Sequence, residues 1–100
     1  MPKKMQVGKI IAPDGSEARI TPGNRKQFSL DELQKAVGGC IERVIMRPGN
    51  GRGTMYVHEE GKIIGLPPNW KATKIALAGQ YGDIIAGPAL IVSTEEDLKK

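Results

Sequence analysis

One hundred residues, of which 39% are hydrophobic and 26% charged, make a soluble globular chain of one domain and leave no room for two independent cores. No apolar run approaches the ~20 residues of a membrane span, and no apolar segment follows the basic start MPKKMQVGK as a secretion signal requires, so the expected location is cytoplasmic. The single cysteine excludes a disulfide framework or a cysteine zinc cluster, and four aromatic residues are too few for a stacking platform along single-stranded nucleic acid.

The net charge of +4 is carried by the N-terminal half: residues 1–50 hold nine Lys/Arg against five Asp/Glu, and residues 51–100 hold six of each. That excess is either ordinary solubilising charge or an anion-binding face. Sequence does not show whether the charges converge.

In chain order, residues 1–5 read as a frayed basic end, 6–92 as a single domain and 93–100 as a last helical turn or tail. Gln6 to Ala12 predicts a strand. Pro13-Asp14-Gly15 predicts a turn, because Pro presets φ, Asp bonds locally and Gly accepts positive φ. Glu17 to Thr21 then returns as the second strand of a hairpin. TPGNRK leads to a helix that the rest of the chain is arranged around. Ser29 is its N-cap and Glu32 completes a capping box, while Phe28 and Leu33 are placed for a hydrophobic staple. Leu30, Leu33 and Val37 share one helical face. Gly38-Gly39 stops the helix, and the β-branched run through Ile45 predicts an immediate strand.

Arg47-Pro-Gly-Asn-Gly-Arg-Gly53 predicts an exposed, mobile connection. Thr54 to Glu59 alternates as a strand, Glu60-Gly61 is a hairpin turn and Lys62-Ile63-Ile64 a returning strand. A second helix starts from Asn69 as N-cap and runs to Ala78. Ile84 to Ala86 and Ala89 to Val92 read as buried strand, bent at Gly87-Pro88. The order β-β-α-β-β-β-α-β predicts an α+β fold: one mixed or antiparallel sheet of about six strands, with two helices packed on one face.

The order and spacing of several short motifs carry a family resemblance over residues 6–92. They are Gly38-Gly39-x-Ile41-Glu42, Glu60-Gly61-Lys62 with Gly65-Leu66-Pro67, Asn69-x-x-Ala72-Thr73 and Asp83-Ile84-x-x-Gly87-Pro88. Together they resemble domain-of-unknown-function family 3846, small domains of phages, plasmids and other bacterial mobile elements. The resemblance implies a mobile-element setting and supplies no activity. Cys40 departs from it, standing where an aromatic residue often follows the double glycine.

No catalytic signature, metal-ligand set or cofactor motif is present. Glu42, Asn69 and Thr73 could form one polar cluster, or Asn69 caps, Thr73 packs and Glu42 pairs with an arginine. His58 and Glu59 point to opposite faces of a strand and do not chelate together, which favours a solvent-facing hairpin histidine. Cys40 reads as a small buried core residue. Arg47 and Arg52 bracket the glycine-rich loop, where amides and guanidinium groups could cradle a phosphate, although the P-loop spacing is absent. Trp70 is either a partner-binding anchor or a plug at one end of the core.

The favoured reading is a non-enzymatic binding module of a phage or mobile element, acting in the bacterial cytoplasm. It would take a host protein or a small anionic, nucleotide-like ligand, with counter-defence as the analogy. The candidate site residues are Glu42, Arg43, Arg47, Arg52, Asn69, Trp70 and Thr73. The alternatives are a nucleic-acid-binding accessory protein, a small nucleotide-processing enzyme, and a homo-oligomer with its site between subunits.

Overall fold

The computed structural model describes residues 5–94. The described residues form five strands, β1 (Gln6–Ile11), β2 (Glu17–Ile20), β3 (Ile41–Val44), β4 (Thr54–His58) and β5 (Ala89–Thr94), with helices α1 (Leu30–Val37) and α2 (Trp70–Ile75) and a 3₁₀ helix at Leu77–Tyr81. The strands make one sheet in the order β2-β1-β5-β4-β3, and every neighbouring pair is antiparallel.

The N-terminal hairpin folds as its residues dictate. Gly15 N–H donates to the Ala12 carbonyl and the Asp14 carboxylate accepts from Ser16 N–H, which sets Lys9 opposite Arg19 and Ile10 opposite Ala18. α1 begins with both halves of the predicted capping box, since Ser29 Oγ accepts from Glu32 N–H and Glu32 Oε1 accepts from Ser29 N–H. It ends at Gly38, whose φ of 88° is left-handed and is open to glycine without a Cβ penalty.

β5 is the central strand and is covered on both sides. Leu90 and Val92 pack under α1 with Phe28, Leu33 and Val37, whereas Ala89 and Ile91 pack with Met55, Val57, Ala72, Ala76 and Ile85 beneath α2. This explains its nearly unbroken apolar run, because a strand buried on both faces does not alternate. It also corrects the expected architecture. The two helices lie on opposite faces of the sheet rather than on one, and alternate β5 residues feed separate cores.

The sheet has five strands, not six. Lys62-Ile63-Ile64 forms successive turns, with Ile64 N–H donating to Glu60 O and Leu66 N–H to Gly61 O, and Ile63 is 84% exposed. The reason is topological: β4 already pairs with β3 on one side and β5 on the other, so no edge is free for a returning strand. Ile84–Ala86 contributes only an isolated bridge from Ala86 to Pro68. The predicted bend follows it, where Gly87 has a φ of 89° and donates to Pro67 O.

α2 ends at Ile75 rather than Ala78, because Ala76 is extended and pairs with Met46. Leu30 sits at the first position of α1 and is exposed, off the face formed by Leu33 and Val37. At the C-terminal end Ser93 and Thr94 continue β5; the rest of the predicted final helical turn, and residues 1–4 of the basic N-terminal end, lie outside the described residues.

Candidate functional site

Asn69 and Thr73 come together as predicted, but as a closed structural network. Asn69 is fully buried. Its Nδ2 donates to Ile11 O (2.8 Å) and Gly87 O (3.0 Å), and its Oδ1 accepts from Ala72 N–H. Thr73 Oγ1 donates to Asn69 O and accepts from Ile85 N–H. Every side-chain donor of the two residues, and one acceptor site on each oxygen, is thereby satisfied within the protein. Glu42 is not part of this network: it stands exposed on edge strand β3, opposite Val57, and its side chain makes no hydrogen bond or ion pair among the described residues. It lines a groove of about 380 Å³ with Lys62, Leu77, Tyr81, Asp83 and Ile85, which an ion pair from Lys62 to Asp83 (2.6 Å) spans. Lys62 holds the Asp83 carboxyl below its ordinary range, with help from Ile84 N–H.

The two arginines of the glycine-rich loop part company. Arg47 folds back on the protein: its Nε donates to Ala76 O at 3.1 Å, its N–H to Ile75 O, and its carbonyl accepts from Asn50. Arg52 stays exposed and has no carboxylate partner among the described residues. With Arg43 it borders an open depression of about 460 Å³ along Val44–Met46 and Gly51–Thr54. On its other side it borders a groove of about 270 Å³, floored by Val7, Gly8, Ile75 and Ile91 and edged by Lys9, Arg19, Asn50 and Ser93.

This second groove gathers the charge that the sequence leaves scattered. Lys9 and Arg19 face each other directly across β1 and β2, an arrangement that is destabilising for like charges. The offset is partial. Glu17 lies 3.6 Å from Lys9 but is also held by Lys71, and these contacts, the Lys71 hydrogen bond first, hold its carboxyl below the ordinary range. Arg19 has no such partner among the described residues. Gly53 lets the loop close on the sheet, since a Cβ there would stand 2.7 Å from Val92 O. Lys9 and Arg19 were not singled out from sequence. The hairpin turn centred on Asp14 carries the signal, because pairing outward from it aligns residue 9 with residue 19.

The other expectations divide. Trp70 is 56% exposed on the first turn of α2, so it is no core plug, and it does not line the basic groove. Cys40 is exposed, not buried. It precedes β3 in the junction after α1, and its carbonyl accepts from Glu59 N–H, so strand alternation never turns its side chain inward. His58 is half-buried rather than on a hairpin rim: its ring lies against Gly39 and its Nδ1 accepts from Glu60 N–H. Among the described residues no three His, Cys, Asp or Glu side chains gather as a metal site, and no helix is long and apolar enough to cross a membrane.

No curated protein and no solved structure matches the chain. A family model does, over residues 8–99, and its description is "Domain of unknown function (DUF3846)". That span takes in all five strands and both helices apart from the first two residues of β1, and it includes each of the motifs on which the resemblance rests. The chain belongs to this DUF3846 family.

Proposed function

We propose that the protein is a non-enzymatic binding module that captures a small phosphate-bearing anion in the groove between Lys9, Arg19 and Arg52. The convergence of these three cations beside the Asn50–Gly53 loop is the observation that carries the reading. Two strand-paired cations and one loop guanidinium, with one carboxylate on Lys9 and none on the arginines among the described residues, suit a ligand that supplies the missing negative charge. No aromatic ring lines the groove, so recognition falls on phosphate and leaves a nucleotide's base unread. Among the described residues the groove holds no activated nucleophile or general base, which favours capture over chemistry. The setting we propose is the bacterial cytoplasm and a mobile element, where sequestering a nucleotide-like anion would serve counter-defence by analogy.

Calorimetric titration with pyrophosphate tests this. Arg52→Ala and Arg19→Ala should each weaken binding by roughly tenfold, the loss of one charge-assisted contact, and leave the melting temperature nearly unchanged. Glu42→Ala should bind as the unmodified protein does. Equal affinity across all four proteins removes the groove from the account.

A further inference from the structure

We propose that Asn50 is a deamidation site whose conversion to aspartate or isoaspartate places a negative charge in the basic groove. The Gly51 nitrogen attacks Asn50 Cγ and loses its proton to solvent, while the side-chain nitrogen departs as ammonia. The resulting succinimide ring is opened by water at either carbonyl, giving aspartate or isoaspartate. No oxidant, reductant or enzyme is required.

The chain holds three asparagines, and only Asn50 is placed for this reaction. Gly51 follows it and has no Cβ to shield the attacking nitrogen. Both residues are exposed, and Gly51 N–H makes no hydrogen bond among the described residues. A single exposed bond restrains the Asn50 side chain, from Nδ2 to Arg47 O at 3.1 Å. Asn24 precedes Arg25, whose side chain crowds the equivalent nitrogen, and its Oδ1 accepts from Lys26 and Gln27 N–H. Asn69 is buried, precedes Trp70 and is fixed by three side-chain hydrogen bonds.

Asn50 edges the same groove as Lys9, Arg19 and Arg52. A carboxylate there competes with a bound anion for those cations. This consequence rests on the anion-binding reading, whereas the modification does not.

The full chain is aged in mildly alkaline buffer beside Asn50→Gln and analysed by intact mass and peptide mapping. The expected result is the mass gain of an amide-to-acid conversion, with isoaspartate, confined to the peptide that bears Asn50 and absent from Asn50→Gln. No gain, or equal gain at Asn24 or Asn69, overturns the site. In parallel, Asn50→Asp should bind pyrophosphate roughly three- to tenfold more weakly than the unaged protein at low ionic strength. Unchanged affinity overturns the charge consequence. If the unaged protein does not bind pyrophosphate at all, the groove reading fails and the modification stands on its mass alone.

Discussion

Asn69 joins the end of β1, the start of α2 and the bend before β5 through one side chain. Asn69→Ala removes the cap and orphans two carbonyls, so it should cost about 2–3 kcal/mol, a fall in melting temperature of roughly 10–20 °C for a domain of this size. Asn69→Asp should be worse. It keeps the cap acceptor but replaces two donors by a buried carboxylate facing two carbonyls. Thermal denaturation of both variants checks the order, and an Asp variant as stable as the native protein would contradict it. The capping role was legible in the sequence, because Asn before a helical run is a local signal. The two long-range acceptors were not, since Ile11 and Gly87 lie 58 and 18 residues away and only the fold brings them together. Cys40 is exposed for a related reason: its carbonyl accepts from Glu59 N–H in line with β3, two residues before exposed Glu42 and on the same side of the sheet.

Between elements, α1 and the first hairpin were readable because their signals are local and agree. Ser29, Glu32 and Gly38 fix the ends of the helix, and Pro13-Asp14-Gly15 fixes the register of the hairpin. The alternation of β4 was readable too, and its burial follows it, with Met55 and Val57 inside. Lys62 to Ile64 misled because β-branched residues signal a strand, while strand formation also needs a free neighbour. The placement of the helices was equally hidden: one-face packing suits separate hydrophobic faces, and only the both-sided burial of β5 shows two cores. At the sheet's far edge, Glu42 and Arg43 put charges on exposed β3, a device that discourages edge-to-edge pairing between copies.

The tie between β2 and α2 is ionic. Glu17 is bonded by Lys71 and lies 3.6 Å from Lys9, and its carboxyl is held below the ordinary range. A folded-state pKa below the unfolded one gives stability that is fully present above the unfolded value, about 4, and is lost as pH falls through the folded value. Melting temperature should therefore hold from neutral pH down to about 5 and decline below about 4. Glu17→Gln should decline less steeply over the same acid range. Because the group is exposed, the difference is small and should shrink further in high salt.

Across the whole molecule, the charge asymmetry of the sequence becomes spatial. Lys9 and Arg19, from the basic N-terminal half, meet Arg52, from the neutral half, across a groove that only the assembled sheet creates. Net charge alone fits ordinary solubilising charge as well as an anion-binding face, and the family, shown over residues 8–99, adds no activity to that. The site itself needed the register of β1 with β2 and the return of the glycine-rich loop onto β5. Hence the proposed groove shares Arg52 with the residues singled out in the sequence and adds Lys9 and Arg19, while Arg47 directs its Nε to the carbonyl of Ala76.

An amide chemical-shift map recorded during titration with pyrophosphate shows whether and where an anion binds. Binding in the basic groove gives saturable shifts at Gly8, Lys9, Arg19 and Asn50 through Gly53, with Glu42 and Tyr81 still. Shifts centred on the groove between β3 and the 3₁₀ helix, or no saturable shift anywhere, would contradict it.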